Sequence, residues 1–296
     1  MCTDDGLYCL YNNFYLNGSS SGVVSTETFA FPADSKSTWK TTNYSNLVFG
    51  CGFDNHNMPF ATGPNNVIAG VFGLNLGRQS MLVQLQAQTK RRFTYCLSSL
   101  ETPTLLQLGD DASATVRRRR SGLQLQTTSL ERGLDHYYVT MLGISIGNQR
   151  LKIDPEVFKL IRGHIGGFLV DTGSPYSFIA ESAFRILRGE MVEYIARRYS
   201  GLRPMQRGIR GFKLCYNLTT SRIRYVFLSM TFHFKQADYV MRPEVVFQCF
   251  GTVRCLVMLA IEDEEPSILG AFQQTNYRFL FDGGESKLSF VPENCA

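Results

Sequence analysis

The feature that most constrains the fold of this chain is a long succession of short apolar or alternating segments separated by glycine-rich turns. Val23 to Phe31, Tyr138 to Gly143 and Val226 to Phe234 are three of these segments. Alternation with a period of two is typical of half-buried β-strands, and glycine supplies the tight turns between them. The sequence therefore predicts an all-β fold with a few helices, arranged in two parts.

Helical periodicity is clearest in one place, between Glu181 and Arg198, and a second, shorter helix is predicted between Gln79 and Gln88. The apolar residues that the longer helix would bury recur every three to four positions: Phe184, Leu187, Met191 and Ile195. Val67 to Leu74 is predicted as a strand, and Asp110 to Ser129 as a surface loop.

Length and charge exclude several classes of function. The 296 residues allow about two domains. A net charge of +5 is too small to indicate nucleic-acid binding, and the run Arg117 to Arg120 is interpreted as part of a solvated loop. The longest apolar run, Cys255 to Ile261, is too short to cross a bilayer, so no membrane association is predicted.

Cysteine usage indicates an oxidising compartment. The 8 cysteines show no paired CxxC spacing, so disulfides are a better interpretation than a zinc site. Three Asn-x-Ser/Thr sequons, at Asn17, Asn43 and Asn217, agree with a secreted protein. No signal peptide is visible at the amino terminus, and a secretory composition without one suggests that the front of the protein is missing.

The strongest candidate for chemistry is the segment from Phe168 to Ser174. Its apolar run predicts a buried strand that delivers the carboxylate of Asp171 at its end. Gly173 allows a tight turn beside the acid, and the hydroxyls of Thr172 and Ser174 are able to orient and stabilise its charged form. An ordinary strand-ending turn is the structural alternative.

A second motif is interpreted as a decoy. Gly143 to Gly147 matches the GxSxG string of α/β hydrolases, which requires a strand, a sharp turn and then a helix. Strand-like residues lie on both sides of this string, so a hairpin turn is predicted instead.

Several motifs together resemble the pepsin-like aspartic endopeptidases, in their plant nepenthesin-like branch, which shares its two-part organisation with the xylanase inhibitors. The motifs that carry the resemblance run along nearly the whole chain: the flap-like 15–19, the FGCG signature at 49–52, the hydrophobic-glycine element at 69–74, the FSYCL-like strand at 93–97, the Asp-Thr-Gly loop at 171–173 and a second hydrophobic-glycine element at 267–271. The resemblance implies a bilobal aspartic-protease fold.

The resemblance also implies a mechanism. Two aspartates, one from each lobe, share a proton around a water molecule and hydrolyse a polypeptide substrate without a metal or an organic cofactor. Asp171 takes the position of the second catalytic aspartate, Thr172, Gly173 and Ser174 support it, and Tyr15 is the flap tyrosine. Asp282, in an Asp-Gly-Gly string, is interpreted as structural.

The chain departs from the family pattern in having one such motif. The first aspartate should precede the flap, but Tyr15 is already near the start, and Asp4, Asp5 and Asp54 have the wrong context. We therefore expect that the first half of the amino-terminal lobe is absent. The predicted parts are a partial amino-terminal lobe at 1–125, a linker at 126–136 and a carboxy-terminal lobe at 137–296.

Three functions follow as alternatives: a truncated aspartic endopeptidase that is inactive as this chain, a non-catalytic binding protein like the xylanase inhibitors, and a homodimer with one aspartate from each copy. The family resemblance implies an extracellular or vacuolar location. It also implies disulfides between Cys96 and Cys295 and between Cys215 and Cys255. The partners of Cys2, Cys9 and Cys51 are expected in the missing segment, and Cys249 has no counterpart in the family.

Overall fold

The computed structural model describes residues 8–15, 18–34, 37–58, 68–98, 104–118, 124–161, 165–218 and 228–295. These residues divide into two compact units, Met1–Gln86 and Ala87–Ala296. The predicted class, all-β with a few helices, is confirmed. The described residues form five α-helices and two short 3-10 helices: α1 (Met81–Gln84), α2 (Gln86–Thr89), α3 (Gly109–Arg118), α4 (Glu181–Arg198), α5 (Pro243–Val246), Pro155–Phe158 and Phe272–Gln274.

Strands make up most of the remaining structure. In chain order they are β1 (Leu10–Tyr15), β2 (Gly18–Asp34), β3 (Ser37–His56), β4 (Arg92–Cys96), β5 (Gln107–Leu108), β6 (Gln126–Ser129), β7 (Met141–Ile146), β8 (Gln149–Arg150), β9 (Leu160–Ile161), β10 (Ile165–Gly166), β11 (Phe168–Val170), β12 (Ser177–Ala180), β13 (Cys215–Asn217), β14 (Met230–Phe234), β15 (Ala237–Met241), β16 (Phe247–Phe250), β17 (Val253–Leu256), β18 (Met258–Ile261), β19 (Ser267–Leu269), β20 (Tyr277–Asp282) and β21 (Lys287–Pro292).

The first unit is built on one antiparallel sheet in the order β1-β2-β3. Strands β1 and β2 pair as a hairpin in which Tyr15 lies opposite Gly18, and the serine- and glycine-rich residues from Gly18 to Gly22 belong to β2. The predicted strand at Val67 to Leu74 is wrong. Its described residues, 68–74, are irregular and largely exposed, and glycines at two positions weaken them as strand formers.

The second unit contains a five-stranded sheet in the order β5-β4-β20-β21-β6. Aromatic rings stack across its central strands, with Phe93 and Phe281 at 4.6 Å and Phe279 and Phe290 at 5.8 Å between centroids. Residues from both predicted lobes and from the predicted linker at 126–136 share this sheet, so the contacts group everything from Ala87 onward into one unit. The lobes predicted from the sequence are separated at 126–136, whereas these contacts divide the chain after Gln86. The predicted lobe boundaries stay a prediction.

The predicted loop at Asp110 to Ser129 is wrong in two places. Residues Gly109–Arg118 form α3, and Gln126–Ser129 form β6. The helix is stable here because Ala112 is buried against the sheet, while Asp110 and Asp111 lie in its first turn, where acidic side chains favour the positive end of the helix. Lys90 also forms an ion pair with Asp110 at 2.6 Å.

Three further predictions on local structure are confirmed, whereas the run Arg117 to Arg120, predicted as loop, begins in α3 and its last two residues lie outside the described ranges. Helix α4 spans Glu181–Arg198, and the four apolar residues that define its stripe are buried. The GxSxG string lies on β7 and in the turn to β8, so it is a hairpin and not a nucleophile elbow. The shorter predicted helix appears as α1 and α2, with Leu82 and Leu85 buried.

The disulfides implied by the resemblance are confirmed. Cys96 is bonded to Cys295, and Cys215 is bonded to Cys255. The expectation that the partner of Cys9 lies in a missing segment is wrong, because Cys9 is disulfide-bonded within this chain. Cys51 and Cys249 are free and exposed.

Candidate active site

Strand β11 delivers Asp171, the predicted catalytic acid. The strand is apolar, and it runs parallel to β19 with Val170 opposite Leu269. The Val170 N–H donates to the Tyr137 carbonyl at 3.0 Å, and the Asp171 N–H donates to the Leu269 carbonyl at 3.1 Å. The backbone of Asp171 is thus anchored to the neighbouring strand as the chain leaves the sheet.

The carboxylate of Asp171 is held at both oxygens by its own loop. The Gly173 N–H donates to Oδ1 at 2.8 Å, and the Ser174 hydroxyl donates to Oδ2 at 2.9 Å. A Cβ at Gly173 would lie 3.1 Å from Oδ1, so glycine is the residue that allows this close approach. The donors on both oxygens hold the carboxylate in one orientation, and Asp171 is half-buried. Thr172 is exposed, and among the described residues the hydrogen bonds to the Asp171 carboxylate come from Gly173 and Ser174.

A second loop crosses behind this turn at Gly270, in the hydrophobic-glycine element at 267–271. The Ala271 N–H donates to the Ser174 carbonyl at 2.8 Å, and the Phe272 N–H donates to the Pro175 carbonyl at 3.0 Å. A Cβ at Gly270 would lie 2.9 Å from the Ser174 carbonyl oxygen and closer still to the carbonyl of Tyr176. Only glycine allows the two loops to cross at this distance.

A buried polar pair beneath the crossing was not predicted from the sequence. The Ser177 hydroxyl donates to Oε1 of Gln273 at 2.9 Å and accepts the Gly270 N–H at 3.0 Å. The Gln273 amide nitrogen donates to the carbonyls of Val245 and Val257 at 2.8 and 3.0 Å. Full burial makes an unpaired polar group costly, so this network fixes the loop crossing. The Gln273-Gln274 pair directly after the hydrophobic-glycine element was the available signal.

A second buried pair links Asp171 to the five-stranded sheet. The Tyr95 hydroxyl donates to Oε1 of Gln274, and the Gln274 amide nitrogen donates to the Leu269 carbonyl at 2.8 Å. That carbonyl also accepts the Asp171 N–H. Burial, and after it the negative charge of Asp171, raise the pKa of Tyr95 well above its ordinary value, so its hydroxyl stays neutral and available as a donor.

Tyr176, at the far end of the Asp171 loop, packs among aromatic side chains. The Tyr176 ring packs edge-on against Phe212 at 5.0 Å and lies 5.7 Å from Phe272. These rings belong to the apolar cluster around the Cys215–Cys255 disulfide. The side chain of Tyr176 therefore anchors the far end of the Asp171 loop.

Tyr15, the predicted flap residue, ends β1 and pairs with Gly18 at the tip of the first unit's hairpin. Its side chain is 41% exposed. A hairpin tip with an exposed tyrosine is the local geometry that a flap requires, and the role itself stays a prediction.

Asp282 is the last residue of β20, whereas Asp171 follows β11, and the carboxylate of Asp282 has different partners. Arg92 donates to its Oδ2 at 2.6 Å, and the Glu285 N–H donates to its Oδ1 at 2.9 Å. An aspartate paired with an arginine within a hairpin turn is structural, which supports the sequence interpretation of this string.

Within the described ranges, no group of three or more His, Cys, Asp or Glu side chains is arranged to hold a metal ion. Over those same ranges, no helix has the length and apolar character needed to cross a bilayer.

Two protein families match the chain. Xylanase inhibitor N-terminal matches residues 1–110, and Xylanase inhibitor C-terminal matches residues 136–292. Curated relatives include aspartic proteinase nepenthesin-1 of Nepenthes gracilis, at 27% identity over 97% of this chain and 61% of the relative. Aspartyl protease family protein 2 of Arabidopsis thaliana is 28% identical over 97% of this chain and 56% of its own length. The chain thus spans about three fifths of the length of these relatives.

Solved structures agree on the fold. The crystal structure of edgp superposes with a TM-score of 0.73 at 15% identity, covering 97% of this chain and 74% of that one. Basic 7S globulin from soybean superposes with a TM-score of 0.69 at 20% identity, covering 92% and 70%. The all-β fold and the Asp-Thr-Gly loop with its crossing glycine define the class of pepsin-like aspartic proteases. Within it, the chain belongs to the xylanase-inhibitor-type family, in the nepenthesin-like branch.

Proposed function

We propose that this chain supplies the second-aspartate half of an aspartic endopeptidase site, with Asp171 as one of two catalytic carboxylates. The observation that carries the proposal is the loop geometry: a half-buried carboxylate with donors on both oxygens, anchored to β19 and crossed by Gly270. This arrangement fixes the direction in which the carboxylate oxygens point, which is what a general base for water activation needs.

The mechanism requires a second carboxylate. One aspartate removes a proton from the attacking water while the other, protonated, donates to the carbonyl oxygen of the scissile peptide. The C–N bond of the scissile peptide then breaks as the proton held by the pair of aspartates passes to the nitrogen of the leaving amine. The 296 residues contain one Asp-Thr-Gly sequence, so its partner carboxylate has to come from outside them.

Cleavage of a denatured protein substrate across acidic and neutral pH tests this proposal. We expect no turnover by these 296 residues alone, and acid-optimal turnover when they are joined to a segment that carries a second Asp-Thr/Ser-Gly motif. In that longer protein Asp171→Asn should abolish cleavage, and Tyr15→Ala should reduce it less completely. Asp135→Asn, at an exposed loop position, is the matched control and should change nothing.

Cleavage by the 296 residues alone that Asp171→Asn abolishes would contradict the need for an external partner. It would instead favour a homodimer in which each copy contributes Asp171.

The second candidate is a non-catalytic protein that binds another protein, as the name of the matching families suggests for their members. Inhibition of a xylanase by the purified chain is the test. Under this alternative Asp171→Asn leaves the inhibition unchanged, whereas the peptidase proposal predicts no inhibition at all.

Either function fits an extracellular or vacuolar compartment. The disulfides Cys96–Cys295 and Cys215–Cys255 form and persist in oxidising environments. A polypeptide is the proposed substrate or partner, and the proposed chemistry needs no cofactor.

A further inference from the structure

The outer face of one sheet in the second unit carries an ordered row of polar side chains. The sheet has the strand order β15-β14-β7-β8, and its inner face is apolar and buried. On the opposite face each of the four neighbouring strands contributes one residue, in the order Asp238, His233, Ser145 and Arg150. Because strand side chains alternate between faces, these four residues project to the same side.

The first three residues form a continuous hydrogen-bonded relay. The Ser145 hydroxyl lies 2.7 Å from Nε2 of His233, and Nδ1 of His233 lies 2.7 Å from Oδ1 of Asp238. In the neutral imidazole with its proton on Nδ1, this N–H donates to Oδ1 of Asp238, which leaves Nε2 free to accept the hydrogen bond and then the proton of the Ser145 hydroxyl. A nucleophile bonded to a base that is oriented by an acid is the general pattern of an activated serine.

The fourth residue places a positive charge on the other flank of Ser145. Arg150 is opposite Ser145 in the register of β7 and β8, and its guanidinium lies over Gly143, where a Cβ would be 2.9 Å from Nη2. Nη2 donates to the Leu142 carbonyl at 2.6 Å. Ser145 itself is only 7% exposed, so a small reagent reaches it when the exposed Arg150 side chain leaves the Leu142 carbonyl and moves aside, and Arg150 can then return beside a developing negative charge.

The backbone limits how fast such a site works. Strand β7 is paired on both sides of Ser145, with Thr231 of β14 and with Arg150 of β8. The backbone N–H groups of this strand are therefore used in hydrogen bonds within the sheet. No pair of backbone donors is therefore available as an oxyanion hole, and Arg150 is the group that faces the developing charge.

We propose that Ser145 is an activated nucleophile and that this face reacts with small activated carboxylic and phosphonic esters. The Ser145 oxygen forms a bond to the carbonyl carbon or phosphorus, His233 accepts the hydroxyl proton, and the alkoxide or fluoride leaves. With a carboxylic ester, His233 returns the proton to the leaving alkoxide, and water then hydrolyses the acyl-serine. The reaction uses neither Asp171 nor its loop, so it is independent of the proposed peptidase function.

The test is labelling of the whole chain with an alkyl fluorophosphonate, followed by tryptic peptide mapping. Cleavage after Arg132 and Arg150 yields the peptide 133–150, in which Ser145 is the sole serine. We expect one phosphonyl group on this peptide, lost in Ser145→Ala and retained in Ser200→Ala, which changes an exposed turn serine. His233→Gln should slow labelling at least about a hundredfold, the usual size of a general-base contribution.

Asp238→Asn is the second variant, because its side chain is 60% exposed and the change should leave folding intact. We expect it to slow labelling about tenfold or more, since the imidazole loses its orienting carboxylate. The absence of an adduct on Ser145 would overturn the proposal. Labelling of Ser145 at the same rate in wild type, His233→Gln and Asp238→Asn would overturn it as well. Asp171→Asn should label as wild type does, which separates this result from the fate of the peptidase proposal.

Discussion

The two units, Met1–Gln86 and Ala87–Ala296, are both built from paired strands, but they bury their side chains very differently. In the first unit β2 and β3 are 17 and 20 residues long, and their register is defined almost throughout. Yet Phe14 and Phe53 are 79% and 70% exposed. In the second unit Phe168 and Phe232, on shorter strands, are both fully buried.

This difference separates two contributions to a β-fold that are often treated as one. Hydrogen-bonded pairing fixes register, but its net contribution to stability is small because water competes for the same groups. Burial of apolar side chains against a second layer supplies most of the stability. The second unit has such layers, including α4, whereas the described part of the first unit has one sheet and the short helix α1.

Limited proteolysis should show the largest difference between the two units. We expect the first cuts within 1–86, about a hundredfold faster than cuts after Ala87, because local opening costs little free energy where few apolar side chains are buried. Mass mapping of a time course identifies the cut sites. The same protease acting on the denatured chain is the control and should show no such preference. Equal resistance of both units would mean that the first unit has a stable core.

A pair of phenylalanine substitutions sharpens the comparison. Phe168→Ala removes a ring packed 5.5 and 5.6 Å from Phe232 and Phe234, and it should cost about 3–5 kcal/mol of unfolding free energy. Phe53→Ala, at an exposed position of the first unit, should change stability by less than about 0.5 kcal/mol. Hydrogen exchange of β14 measures the effect of the first substitution, and hydrogen exchange of β2, which pairs with β3, measures the effect of the second. Similar costs for the two variants would contradict the assignment of the core to the second unit.

The cysteines offer a comparison within the whole chain. Replacing Cys215 and Cys255 together by serine opens a loop with a sequence separation of 40 and should cost about 2–5 kcal/mol. Replacing the free, exposed Cys51 and Cys249 by serine is the matched double variant and should leave stability unchanged. Urea unfolding under non-reducing conditions gives both values. A large loss in the second variant would show that one of these thiols is needed for packing.

The sequence was sufficient wherever one local pattern determines the structure. Helix α4 has its apolar stripe within 18 residues, and the Asp171 loop follows from an apolar strand, an acid and a glycine. It failed where stability depends on distant partners. Residues 68–74 look like a strand from their sequence, but they do not adopt strand structure. The segment that forms α3 looks like a loop, yet Ala112 finds a surface to bury against.

The polar side chains that hold the candidate site in place could not be predicted from the sequence for the same reason. Tyr95 and Gln274 are separated by 179 residues, and Ser145 and His233 by 88. The sequence around either member of a pair therefore does not indicate that the two side chains are in contact. The family resemblance identified the disulfides because a relative's sequence carries that long-range information. It did not identify the polar pairs behind Asp171, since no motif names them.

The smallest effect concerns two buried tyrosines of the second unit. The Tyr239 hydroxyl donates to the Gln273 carbonyl at 2.7 Å, whereas the buried Tyr216 hydroxyl has no hydrogen-bond partner among the described residues. Tyr239→Phe should therefore cost about 1 kcal/mol, and Tyr216→Phe should be neutral or slightly stabilising. Burial raises the pKa of Tyr216 to about 12, so this phenol leaves the stability of the wild-type protein independent of pH below about pH 10 and lowers that stability as the pH rises towards 12. Unfolding measured between pH 8 and 11 should show Tyr216→Phe gaining on wild type above about pH 10, because the unfolded wild-type chain is stabilised by ionising this phenol. A constant difference across that range would mean that the Tyr216 hydroxyl is solvated in the folded protein.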